Sequence, residues 1–235
     1  MPTIEIKNSV AFITGGQRGI GKAFAEELLA RGARKVYVTA RTPAPANDPR
    51  IVPLAMEVTD AASVAAAAAQ AGDTTIVINN AGVGGLGPLL TGDIEAARGL
   101  FDVNVFGALR IALVFAPILK ANGGGALVDI HSALSWIAGA GAYGAAKAAF
   151  WSLTNTLRME LAPQNTLVVG VHLGYTDTDM TARFPDVEKM PPSKVAIAAL
   201  DALAPGATEV LVDDVSRHYK AALSGPVEGL NFSMG

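Results

Sequence analysis

The feature that most constrains this chain is a repeated alternation: short, continuously apolar runs, each separated from the next by a stretch with helical spacing or by a Pro-rich loop. The runs are "VAFIT" from residue 10, "KVYVTA" from 35, "IVPLAM" from 51, "TTIVINN" from 74, "GALVDIHS" from 125, "TLVVGVHL" from 166 and "TEVLVD" from 208. An apolar run without polar alternation suits a strand buried on both faces. Between the runs, helical patterns occupy Ile20 to Arg31, the alanine-rich Ala61 to Ala71, Ile94 to Leu119, the stretch from Tyr143 onward and the stretch after "MPPS", while "RTPAPANDPR" reads as a loop. The alternation predicts one parallel sheet with helices on both faces, an α/β doubly wound fold forming a single domain over residues 1–235. Ligands of such sheets sit at the carboxyl ends of the strands, near the point where strand order reverses.

The first run ends in "TGGQRGIG", residues 14 to 21. Glycines at 15, 19 and 21 let the backbone turn tightly and come close to a phosphate, and the following helix offers unpaired N–H groups to an anion. Gly15, Gln17, Arg18, Gly19, Ile20 and Gly21 form the expected cradle, with strand before and helix after as a dinucleotide site requires. Gly16 to Lys22 also fits the spacing of a nucleoside-triphosphate loop, but Ala23 stands where that motif needs a hydroxyl for magnesium. An acid at the end of the second strand would bind a ribose 2′-hydroxyl, whereas arginine accommodates a 2′-phosphate. "VTAR" has Arg41 there and no acid, and Arg18 offers a second positive charge, so the residues favour NADP(H).

Composition excludes other classes. There is no cysteine among 235 residues, which removes disulfides, thiolate metal sites and cysteine nucleophiles. A formal charge of −3 gives no reason to expect nucleic acid or an anionic membrane as partner. The first residues show no apolar signal core, and "ALRIALVFAPIL" reads as too short to span a bilayer and broken by Arg110, so a soluble cytoplasmic protein is expected. At 51% hydrophobic and 17% charged, the chain has apolar surface to spare for a homo-oligomer.

"AYGAAKAAF", residues 142 to 150, sets one tyrosine and one lysine into small and apolar residues. Four residues apart on a helix, Tyr143 and Lys147 share a face, and an ammonium can lie beside a phenol.

Together, "TGGQRGIG", "NNAG" at 79 to 82, "FDVNVFG" around Asn104, Ser132 in "DIHSALS", and Tyr143 with Lys147 resemble the short-chain dehydrogenase/reductase family in order and approximate spacing. The resemblance covers essentially the whole chain and implies a Rossmann-type fold. It implies that Tyr143 is the acid or base at a carbonyl or alcohol oxygen. Lys147 would bind the nicotinamide ribose and, with the oxidised ring, bring the phenol toward working pH. Ser132 would hold the substrate oxygen, and Asn104 would anchor a water linking Lys147 to solvent. Ser132 lies eleven residues before Tyr143, a shorter interval than the family usually shows, and Ser135 is a rival hydroxyl. By the same resemblance Asn79 fixes the sheet, and Asn80, Ala81 and Gly82 pass the adenosine ribose. Glu57 stands where the family usually has Asp, and Val58 fits the apolar position beside adenine. In "LGYTDTDM", Leu173 replaces the family's usual proline, while Gly174, Thr176 and Thr178 match, Thr178 as the carboxamide ligand.

His131, His172 and His218 lack metal-ligand partners at helical spacing and read as structural, with no metal expected. No Gly-x-Ser-x-Gly elbow is present, which argues against a serine hydrolase. Trp136, Tyr175, Met180 and Phe184 lie near the expected mouth of the site as pocket or packing residues. The expectation is an NADP(H)-dependent carbonyl reductase or alcohol dehydrogenase with a small-molecule substrate, a homodimer or homotetramer joined through helices near 94 to 119 and 143 to 162. The competing class is a non-catalytic dinucleotide-binding protein on the same fold.

Overall fold

Residues 3–231 are described by a computed structural model. Seven strands form one parallel sheet: β1 (Val10–Ile13), β2 (Lys35–Ala40), β3 (Ile51–Ala55), β4 (Ile76–Asn79), β5 (Gly125–Ile130), β6 (Thr166–His172) and β7 (Glu209–Leu211), in the spatial order β3-β2-β1-β4-β5-β6-β7. The order reverses between β1 and β4, which places the ligand crevice outside their carboxyl ends. Pro53 is tolerated in β3 because that strand is an edge and need not donate outward.

Helices α1 (Gly19–Ala30) and α6 (Pro192–Asp201) cover one face, where Ile13, Phe24, Leu28, Val128, Val169 and Leu200 share one core. On the other face lie α2 (Ala61–Gln70), α3 (Ile94–Phe101), α4 (Ala108–Ala121) and α5 (Gly141–Leu161), over a core that includes Phe12, Val64, Ile111, Phe115 and Leu127. Asp60 caps α2 by accepting from Ala62 N and Ser63 N.

Two readings are corrected. The helix expected over 94–119 is joined through a π-helical turn, Asp102–Gly107, into a helical run from Ile94 to Ala121. At 28 residues that run is long and apolar enough to cross a membrane by length and composition, so it is neither short nor broken at Arg110, whose guanidinium reaches Asp102 at 2.9 Å. Ile111, Ala112, Phe115 and Leu119 are buried, which is the packing of a core helix. Second, the sequence reading stops at β7, yet α7 (Asp214–Ala222) follows, capped by Asp213 accepting from Ser216 N at 2.7 Å. Ser216 is the only residue of α7 that is buried, so no apolar stripe announces it.

Candidate active site

The glycine turn leaves β1 with Gly15 at φ +64° and Gly19 at φ +51°, values that favour glycine. A Cβ on Gly21 would lie 2.3 Å from Gly15 O, so the cradle has no room for a side chain there. The turn is laced to its neighbours: Thr14 Oγ1 accepts from Asn80 N at 2.9 Å and Ala81 N at 2.8 Å, and Asn80 Nδ2 donates to Thr14 O at 2.9 Å. Gly15 N donates to Thr39 Oγ1 at 3.3 Å. Helix α1 starts after Arg18 without a side-chain cap, which leaves its first N–H groups for an anion. The residues present therefore fit a dinucleotide pyrophosphate. Ile20 packs against the α1/α6 core.

Two of the three polar side chains of this region have partners that the sequence did not suggest, and the third is free among the described residues. The Gln17 amide donates to Ala44 O at 2.6 Å and accepts from Ala44 N at 2.9 Å, so its side chain folds the loop after β2 and leaves only backbone for a ligand. Arg18 does not join Arg41: its guanidinium meets Asp179 at 3.2 Å, because the segment after β6 crosses the glycine turn. Arg41, just past β2, is exposed and has no ionic or hydrogen-bonding partner among the described residues.

At the other end of the crevice, Gly174 N donates to Asp213 Oδ2 at 2.6 Å. Thr176 pairs with Met190 as a short bridge and its carbonyl accepts from Thr181 Oγ1 at 2.5 Å. Thr178 lies directly on the glycine turn, its methyl 3.1 Å from where a Gly19 Cβ would stand. Val58 is buried, as an apolar contact near an adenine would be, and packs against Gly107 of the π turn.

Asn104 sits in that π turn and is buried. Its amide donates to Val83 O at 3.0 Å and Leu100 O at 2.9 Å, and its Oδ1 accepts from Val83 N at 3.2 Å. The side chain thus ties down the loop after β4. Gly82 is required beside it, since a Cβ there would lie 2.7 Å from Asn104 Oδ1.

Ser132, Tyr143 and Lys147 come together where β5 ends and α5 begins. Lys147 is 6% exposed and donates to Ile130 O at 2.9 Å, with its Nζ 5.9 Å from the centre of the Tyr143 ring. Burial pulls the Lys147 ammonium down to about 8, with Asp129 pulling the other way. Burial pushes the Tyr143 phenol up to about 12, against a hydrogen bond with Ser132 that lowers it, and Tyr175 nearby pushes it further up. In the protein alone burial is the larger effect on the phenol, and the expected acidification includes the positive charge of an oxidised nicotinamide ring. Ser132 Oγ accepts from Leu134 N at 3.1 Å, while the Ser135 hydroxyl is sealed from solvent without a hydrogen-bond partner among the described residues.

The sequence reading missed what lies beneath. Asp129 is fully buried, accepting from Thr154 Oγ1 at 2.6 Å and Asn79 Nδ2 at 3.2 Å. Asn79 also donates to Ala108 O at 3.0 Å, which joins β4, β5 and α4 as the resemblance implied. His131 stacks on His172 at 4.8 Å and meets Phe150 edge-on at 4.5 Å, and Trp136 stacks on His172 at 4.1 Å. Gly170 makes room for the pair, since a Cβ there would lie 3.2 Å from the His131 ring. Burial drives both imidazoles below their ordinary value, His172 to about 3, so both are neutral at physiological pH. The signal available was strand alternation, which puts Asp129 and His131 on the same face of β5.

A family model described as short chain dehydrogenase matches residues 9–189. A sorbitol dehydrogenase of Cereibacter sphaeroides is 32% identical over 204 residues, 80% of each chain. A D-erythrulose reductase of Gallus gallus is 33% identical over 187 residues, 76% of each. A solved short chain dehydrogenase from Burkholderia cenocepacia J2315, in complex with NADP, superposes with a TM-score of 0.90 at 38% identity, covering 97% of both chains.

Proposed function

Because the chain belongs to the short-chain dehydrogenase/reductase family of oxidoreductases, we propose that it is a soluble cytoplasmic NADP(H)-dependent enzyme interconverting a ketone and a secondary alcohol. The observation that carries this reading is the meeting of Ser132, Tyr143 and Lys147 at the mouth of the dinucleotide crevice, a set that a mere binder has no use for. The NADP complex of the Burkholderia protein and the unpartnered Arg41 support the choice of cofactor, and the relatives named for sorbitol and erythrulose support the alcohol and ketone chemistry.

When bound, the nicotinamide cofactor supplies or accepts the hydride. Gly15, Gly19, Gly21 and the start of α1 hold its pyrophosphate, and Arg41 the 2′-phosphate. Asn80, Ala81 and Gly82 pass the adenosine ribose, Val58 the adenine, and Gly174, Thr176 and Thr178 the carboxamide end. Ser132 Oγ donates to the substrate oxygen and steadies charge developing on it. Tyr143 passes its proton to that oxygen in reduction. A phenol held near 12 is neutral at physiological pH, the state an acid must be in before it acts. Lys147 holds the ribose hydroxyls and stabilises the phenolate left behind. Asn104, its side chain engaged with Val83, serves the proton path through its backbone in the π turn, where helical hydrogen bonding is loosened.

The test is turnover by the purified protein on a panel of aryl ketones and small ketoses, followed by the absorbance of NADPH and, separately, NADH. Oxidation of NADPH in preference to NADH is expected with at least one ketone. Tight NADPH binding with no turnover across the panel would favour the non-catalytic binder.

A further inference from the structure

We infer that Asp129 is a positioning residue, the buried counter-charge of Lys147, which keeps that ammonium charged and fixed on the Ile130 carbonyl beside Tyr143. The inference deepens the proposed reaction and rests on that reading for its kinetic consequence.

Asp129 lies between the sheet and α5, with Thr154 of α5 and Asn79 of β4 on its carboxylate. It is 0% exposed, yet it is not needed there as an acid for the fold. Oδ2 accepts from Thr154 Oγ1 at 2.6 Å and Oδ1 from Asn79 Nδ2 at 3.2 Å. An asparagine could keep both contacts: its oxygen accepts from Asn79, and its amide donates to Thr154 Oγ1, whose hydroxyl proton then turns from position 129 to Phe150 O, 3.1 Å away. A carboxylate at the same place carries a desolvation cost that the amide avoids, so the negative charge needs a purpose beyond the hydrogen bonds.

The buried cation tied to this strand is Lys147, which donates at 2.9 Å to the carbonyl of Ile130, the residue after Asp129, and acts on the carboxylate without a direct ion pair. The charges acting on Asp129 are those of Lys147 and Arg158 from α5, which also act on the imidazoles of His131, just past β5, and His172 of β6, and neutral Asn79 of β4 completes the surroundings. Both imidazoles are held neutral, and the Arg158 charge is fixed on the neutral oxygens of Asn155, Val168 and Thr208, whereas Lys147 is fixed on the residue next to Asp129 and acts on it more strongly. Lys147 is therefore the cation that the Asp129 charge chiefly serves. Burial raises the Asp129 carboxyl to about 6 and lowers the Lys147 ammonium to about 8, so between those values both groups are charged. Without the carboxylate the ammonium would lose its proton at lower pH.

The experiment is a double-mutant cycle with Asp129→Asn, Lys147→Met and the pair, read by thermal unfolding at pH 7.5 and, for the wild type and Asp129→Asn, by the pH profile of ketone reduction. The expected result is that Lys147→Met lowers the unfolding midpoint by about 5 °C more when Asp129 is present than when it is already Asn. In Asp129→Asn the alkaline limb of turnover moves about 1 pH unit lower, with KM for NADPH at pH 6.5 unchanged. Additive midpoints, or an alkaline limb that does not move, would overturn the inference. If the wild type reduces no ketone, the proposed reaction fails and the unfolding cycle alone still decides the role of Asp129.

Discussion

Arg41 and Tyr143 carry the two specific parts of the functional reading, cofactor choice and proton transfer, and they differ in how well the sequence revealed them. Arg41 is visible because a charged residue stands where an acid would bind a ribose, and it is exposed and free to meet a 2′-phosphate. Arg41→Ala should raise KM for NADPH by about 10- to 100-fold, the loss of a charge-assisted contact, while KM for NADH moves less than about threefold; steady-state kinetics with both cofactors checks this. Arg18 was less legible, since its partner Asp179 lies 161 residues away and the fold alone brings them together. The same holds for the phenol of Tyr143. Spacing showed that an ammonium would be near, but the sequence does not show the loss of water that pushes the phenol up.

At the scale of elements, β5, β6 and α5 enclose a layer in which the aromatic stack of Trp136, His172, His131 and Phe150 replaces aliphatic packing. This layer makes stability sensitive to acid. His172, lowered to about 3 by burial in the folded chain, takes up its proton near 6.5 once unfolded. The unfolded state therefore binds more protons below 6.5, and stability falls as pH drops from there toward 3. His172→Phe keeps a ring in the stack and removes the titration. Relative to wild type it should gain about 3 kcal/mol between pH 7 and pH 4, read by urea denaturation at both values. Asp129, raised to about 6, works in the opposite sense, but it is present in both proteins and cancels in the difference. Unbroken apolar runs made β1 to β7 legible, whereas α7 was not, because it buries a serine and no apolar stripe.

For the whole molecule, the order of apolar runs was enough to give the parallel sheet, since buried strands need helices on both faces, while the reversal that places the crevice between β1 and β4 is visible only in the fold. The region expected to join subunits carries exposed apolar side chains. Ile94, Phe106, Leu113 and Met159 are 66%, 50%, 64% and 79% exposed on the long helices, the region expected to join subunits. Replacing Leu113 and Met159 together by Glu should shift the protein toward monomer in light scattering coupled to size exclusion, with no change in the fold by circular dichroism. The central claim is that Tyr143 delivers the proton at a bound nicotinamide. It is tested most directly by Tyr143→Phe, with NADPH affinity from fluorescence titration and turnover from absorbance measured on one preparation. The account predicts turnover down by about 100- to 10,000-fold with NADPH affinity unchanged; turnover close to wild type would contradict it.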